Sequence, residues 1–343
     1  MEDVLTIALC TIFCGASEFT EMEAFGELRE DWLRGFLELP NGIPSHDTFR
    51  NVFSAIAPAS FLELFARWTS CVREKGGGEI VAFDGKALRG TKGGADNIKT
   101  VVGARSVDAG ISLGQIDVDG KSNEITALPK LLEFLDLKGC IVTVDAMGCQ
   151  KEVAAKVIGA KADYVLALKG NQPKLQEQVA GYIDGLISEG LEPHVTRCKG
   201  HGRVEVRRCW AADQLDWLEG AEQWEGLRSV AAVELECTRG GKTTRERRYF
   251  ITSLAPDTEK IAHAVRAHWG IENSLHWVLD VVFGEDRSRA RTRNGASNLS
   301  SMRRLSHNLI KNEKQYSKWT VKKRKLAACH KPEYLEALIG LRK

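Results

Sequence analysis

No pair of the nine cysteines has CxxC spacing, and no regular interval relates the others. A disulfide-stapled secreted scaffold is thereby excluded, and an odd count reads as reduced thiols in a cytosolic protein. Long hydrophobic runs are missing too. The N-terminal stretch VLTIALCTIFCGA is shorter than the roughly 20 residues that a spanning helix needs. It follows Glu2 and Asp3 rather than a basic region, so we expect a core helix and neither a membrane span nor a signal peptide. The order G-x-x-x-x-G-K-[ST] does not occur around GKALRGT, which excludes a P-loop there.

What is present describes a soluble globular protein. The 343 residues are 43% hydrophobic and 27% charged, enough for one large domain or two ordinary ones. A net charge of +2 conceals an asymmetry. From Arg287 to the end there are 16 Lys and Arg against 3 Glu and no Asp, or +13, which leaves 32 against 43, or −11, for the rest. A basic end on an acidic body points to a polyanion, most simply nucleic acid. A solvated C-terminal helix is the plainer alternative.

Along the chain the hydrophobic period changes. HDTFRNVFSAIAPASFLELFARWTSCV has helical spacing interrupted at Pro58, and KGGGE at 75–79 marks a boundary. EIVAFD, KTVVGARSV and ISLGQIDVD are short apolar runs joined by GGADNI and DAG, as in an antiparallel meander. NEITALPKLLEFLDL places Ile125, Leu128, Leu132 and Leu135 on one helix face. GCIVTVDAMG and DYVLAL then alternate with helical segments, which predicts a mixed α/β sheet with crossover helices. Between 194 and 252 the pattern is β-rich, with Trp210, Trp217 and Trp224, and from Thr258 the helical period returns.

Three carboxylates stand out. VAFDGK and IVTVDAMG each drive an apolar run toward the core and end it in an acid, Asp84 and Asp145. If the two strands are parallel neighbours, both acids leave the sheet at one edge. An Asp-Gly turn at Asp84 and a helix N-cap at Asp145 are the plainer readings. In TEKIAHAVRAHWGIENSLHWVLDVVF the stripe Ile261, Val265, Trp269, Glu272, His276, Leu279 puts a third acid on the side expected to face the protein. A carboxylate there costs several kcal/mol, roughly, unless a cation or donors neutralise it. Acids gathered around Mg²⁺ make a site for phosphodiester chemistry.

Other residues compete for these roles. Asp280, Glu285 and Asp286 are alternative third acids. His268, Glu272 and His276 are spaced by four and His194, Cys198 and His201 are close in sequence, so zinc is a second metal reading. Trp210 suits either a stacked, flipped base or the local core. Lys86 and Arg89 suit DNA phosphate as well as a solvated turn.

Taken together, NGIPSHDTF, FDGKALRG, GQIDVDGKSNEITALPKLLEFLDLKGCIVTVDAMGCQKE, DYVLALKGNQ, HGRVEVRR and HWGIENSLHWVLDVVFGED make the chain resemble the DDE transposases of bacterial insertion sequences, specifically the H-repeat-associated group. The likeness covers nearly the whole chain. It implies an RNase H-like mixed sheet flanked by helices, with a β-rich insertion before the last acid. It implies Mg²⁺-dependent (or Mn²⁺-dependent) cleavage at the element's ends and attack of a 3′-hydroxyl on target DNA. The triad maps onto Asp84, Asp145 and Glu272. Relatives carry Tyr, Arg and Lys where Val265, His268 and Leu279 stand.

On this reading 1–78 is an N-terminal helical region and 79–193 the first part of the catalytic core. The β-rich insertion is 194–252, the second part of the core with the third-acid helix is 253–310, and 311–343 is a basic tail. Lys86, Arg89, Lys169 and Arg266 are expected to contact DNA. So are His268, Arg287, Arg289 and Arg291, with 287–325 as the main binding surface. We expect a cytoplasmic protein that acts on double-stranded DNA as a homodimer, without a membrane. Relatives carry further residues before the first helix, so a shortened N-terminus is expected. A nuclease that does not join ends, or a silent DNA-binding remnant, are the rival readings.

Overall fold

The computed structural model describes residues 1–73, 77–93, 98–118, 124–200 and 202–342. The start of KGGGE, most of GGADNI and His201 therefore lie outside the described residues. Five helices open the chain: α1 (Glu2–Phe13), α2 (Phe19–Leu28), α3 (Glu30–Leu33), α4 (His46–Ala55) and α5 (Pro58–Val72). A three-stranded antiparallel meander follows, β1 (Ile80–Leu88), β2 (Lys99–Ser106) and β3 (Ser112–Asp117). Next come α6 (Glu124–Phe134), β4 (Ile141–Val144), α7 (Lys151–Gly159), β5 (Asp163–Leu168) and α8 (Pro173–Ser188).

β4 lies between β1 and β5 and is parallel to both, with all four residues buried. A strand covered on both faces needs apolar side chains at every position, which is why IVTV runs without alternation. On one face, Val81, Phe83, Val142, Val144, Tyr164 and Leu166 pack under α6, α7 and α8. On the other, Ile80, Ile141 and Val165 meet Ile261 and Ala264 of α9 (Thr258–His268). Each such buried side chain contributes roughly 1.5–3 kcal/mol.

Strands β6 (His194–Gly200), β7 (Arg203–Ala212), β8 (Ser229–Arg239) and β9 (Lys242–Thr252) fill the insertion. Rather than a separate subdomain, they continue the same sheet. β9 pairs with β5 from Val165↔Thr252 to Leu168↔Tyr249, and the order among the described residues is β3-β2-β1-β4-β5-β9-β8-β7-β6. Trp210 is buried in this core and its Nε1 donates to the Leu191 carbonyl, so it is not free to stack on a base.

After α9 the helical path continues through a π turn (Glu272–His276) into α10 (Trp277–Val281), then α11 (Gly295–Asn312), α12 (Val321–His330) and α13 (Pro332–Leu338). The last two helices do not form a loose tail. Ala327, Ala328, Tyr334 and Leu335 share a core with Ile7, Phe13, Phe49, Phe53, Leu299 and Met302. Much of the basic segment is internal as well. Arg303 donates to the Ser17 carbonyl, Arg304 pairs with Glu285 at 3.3 Å, and Arg324 donates to the Tyr334 hydroxyl, all from buried positions. The 287–325 stretch is thus only partly a surface. Among the described residues no single helix is long and apolar enough to cross a membrane.

Candidate active site

Asp84 is not in a turn. β1 continues through it to Leu88, and Asp84 pairs with Gly103 of β2. On the opposite side, pairing with β4 ends at Phe83↔Val144. Asp84 and Asp145 are therefore the next residues beyond the last matched pair of two parallel strands, which sets them abreast. Asp84 Oδ1 accepts from the Gly85 N–H at 2.9 Å. Asp145 does cap a short 3₁₀ turn, accepting from Gly148 N–H at 3.2 Å through Oδ1. Capping and site membership coexist because one carboxylate oxygen suffices for the cap.

The third acid reaches the same place by another route. Glu272 is exposed, not turned into the core, and the buried positions around it are Ile271, Leu275 and Leu279. The projected stripe has already left the buried face at Trp269, which is 50% exposed, before the π turn that begins at Glu272. The expected burial cost at Glu272 does not arise. Glu272 instead lines a cavity of about 570 Å³ with Asp84, Asp145, Lys169, His268 and Trp269.

Charge at this cavity is unbalanced. Burial, and then the charge of Asp145, push the Asp84 carboxyl up to about 7, with Glu272 and Glu124 adding to the effect against the Gly85 N–H. Glu124, at the start of α6, is likewise pushed up by burial and by Asp145. Among the described residues, none of these four carboxylates has a lysine or arginine within ion-pair distance. Clustered, unneutralised oxygens are the donor set of a hard divalent cation. Among the described residues no group of three His, Cys, Asp or Glu side chains forms a ready-made metal cluster, His268, Glu272 and His276 included, while the combination of His194, Cys198 and His201 lies partly outside the described residues.

Two histidines border the acids. His276 Nδ1 lies 3.5 Å from Asp84 Oδ2, and burial followed by the charges of Arg304, Lys86 and Arg105 drives its pKa down to about 3. His268 Nδ1 is 3.0 Å from Thr143 Oγ1, and burial again lowers its pKa. His268 is therefore a neutral wall of the cavity and not a phosphate-binding cation.

The expected DNA contacts divide by position. Lys169 is exposed at the cavity. Arg89, Arg287, Arg289 and Arg291 are exposed together near the end of β1, where Arg291 Nε donates to the Gly90 carbonyl. Arg266 is exposed but outside the cavity lining, and its charge acts on Glu205 of β7. Lys86 is buried. Its ammonium lies 2.6 Å from Asp280, 3.6 Å from Glu285 and 3.8 Å from Asp286, which commits all three alternative acids to an internal ion pair instead of the site.

Comparison with known proteins places this geometry. The family profile described as "Transposase DDE domain" matches residues 75–309, and "DDE_Tnp_1-associated" matches 1–69. The chain belongs to the DDE transposase family. "Putative transposase YncI" of Escherichia coli O157:H7 is 38% identical over 336 residues, covering 96% of this chain and 86% of the relative. "H repeat-associated putative transposase YhhI" of Escherichia coli K12 is 34% identical over 351 residues, covering 99% and 92%. The mixed order β3-β2-β1-β4-β5, antiparallel then parallel, is the RNase H-like core of this transposase. In this transposase burial lowers the pKa of His268, and Leu279 is fully buried.

Glu124 and His276 were not singled out as site residues by the sequence reading. Glu124 looks like an ordinary acid in a first helical turn, a place where any helix welcomes negative charge. The four-residue spacing of His276 was visible, but it suggested zinc.

Proposed function

We propose that this transposase cuts DNA at the ends of its element and joins the freed 3′-hydroxyl to target DNA, with Asp84, Asp145 and Glu272 holding Mg²⁺ or Mn²⁺. The observation that supports this most is the meeting of three acids, from β1, the exit of β4 and the π turn, at one cavity without a basic partner. When bound there, the cation supplies a lowered pKa for water and neutralises charge on the phosphate oxygens. The protein's part is placement. Gly85 and Gly148 N–H groups fix one oxygen each of Asp84 and Asp145, leaving Asp145 its second oxygen for the site. Lys169 stands where it can meet a phosphate, and neutral His268 lets a polyanion approach without competing for the carboxylates.

The test uses labelled duplexes carrying the element's terminal sequences and an unlabelled target. Wild-type protein is expected to give nicked and joined products only with Mg²⁺ or Mn²⁺. Asp84→Asn, Asp145→Asn and Glu272→Gln are each expected to lose both products while retaining DNA binding. A joined product from any variant removes that residue from the proposed site. Cutting without joining would identify a nuclease, and binding without a metal-dependent product a silent remnant.

A further inference from the structure

β1 presents alternate residues to opposite faces of the sheet, so Gly85 faces α6 while Asp84 faces α9. A Cβ placed on Gly85 would lie 2.1 Å from Oε1, 2.3 Å from Cδ and 2.6 Å from Oε2 of Glu124. Real Cβ atoms essentially never show such contacts, so a side chain at 85 would displace the flexible end of Glu124. The carboxylate of Glu124 thus lies against the strand backbone at the peptide next to Asp84, in the space that any other residue at 85 would fill. It reaches this spot from the first turn of α6, on the face opposite the helix that carries Glu272. Among the described residues, Glu124 has no hydrogen-bond or ion-pair partner that would explain holding it there.

A carboxylate set down beside two others, without a cation or donor, is repelled by its neighbours and gains nothing from the protein. The arrangement becomes favourable when a divalent cation joins them. We propose that Glu124 is a fourth carboxylate of the cation site, and that position 85 is glycine because this carboxylate occupies the space of its side chain. The inference rests on the reading of Asp84, Asp145 and Glu272 as cation ligands, and it adds an acid from the other face of the sheet. The site is then bounded from both sides, by Glu272 above the strand ends and Glu124 below them.

The test is Mn²⁺ binding to the full-length protein by calorimetry, with metal-free thermal unfolding as the check on folding. Glu124→Gln is nearly isosteric and is expected to fold. It should weaken Mn²⁺ affinity by about 10-fold to 100-fold, the range seen when supporting partners of a metal site are removed. Gly85→Ala should weaken it similarly by evicting Glu124, and combining the two should add little. Unchanged Mn²⁺ affinity in Glu124→Gln, with binding lost in Asp84→Asn, would overturn the inference and leave the three-acid reading intact. Unchanged affinity in Asp84→Asn would instead overturn the three-acid reading, and this inference with it.

Discussion

Lys86 donates to Asp280 at 2.6 Å, an ion pair that ties the strand of Asp84 to the helix following Glu272. The lysine is 6% exposed and also faces Glu285 and Asp286. Removing one partner of a buried pair leaves the other charge uncompensated. Lys86→Met is therefore expected to destabilise the fold by about 3–5 kcal/mol, measured by urea unfolding. Its DNA binding should keep the salt dependence of the wild type. A stable variant with a shallower salt dependence would place Lys86 on phosphate after all.

The Asp84 carboxyl gives a pH signature with a definite sign. Its pKa is raised from 3.8 to about 7 by burial and by Asp145. Between those values the folded state holds a proton that the unfolded chain has released, so this group favours folding at low pH and loses that contribution as pH rises toward 7. The slope is at most about 1.4 kcal/mol per pH unit. In metal-free protein, the stability difference between wild type and Asp84→Asn should rise on acidification from about pH 7 to about pH 5. Saturating Mg²⁺ should flatten it. A difference that ignores pH would mean that Asp84 is not crowded by other acids.

Much of this architecture was legible in one sequence, and the failures have physical causes. The two buried strands were visible because IVAF and IVTV are apolar without alternation, and their parallel pairing makes Asp84 and Asp145 neighbours. The Asp-Gly turn was the plainer alternative at Asp84, and the strand runs through the pair instead. Here the space at Gly85 is taken by Glu124, 39 residues further along the chain (124 − 85), a contact that no local pattern carries. Glu272 was chosen for a reason that the structure does not support. The apolar stripe leaves the buried face at Trp269, ahead of the π turn, so the acid expected to face the core is exposed to the cavity instead. The basic C-terminal segment misled most. Charge density suggested surface, yet Arg303, Arg304 and Lys325 find carbonyls, Glu285 and an aromatic ring inside.

His268 offers a check on the site's electrostatics. It is buried against Thr143 and its pKa is lowered by burial, so the ring stays neutral at pH values where a free histidine is half charged. By NMR, its ring signals should show no titration step near about pH 6.5. DNA affinity should likewise show no step that disappears in His268→Gln. A step that does disappear would make His268 a cationic phosphate contact.

The exposed arginines carry the last expectation. Arg287, Arg289 and Arg291 lie on the segment that packs against the end of β1, beside exposed Arg89, and the described structure gives none of the three a carboxylate partner. Buried Arg303, Arg304 and Lys325 cannot reach a duplex without unfolding α11 and α12. Each phosphate neutralised by a protein cation adds about 0.9 to the slope of log affinity against log salt. Replacing Arg287, Arg289 and Arg291 together by Gln should therefore reduce that slope by about 2–3 and weaken binding to all duplex sequences alike. Lys325→Met should lower stability and leave the slope unchanged. If the triple variant kept the wild-type slope, the duplex would have to lie elsewhere, with Lys169 and the exposed lysines of α12 the next surface to test by the same measurement.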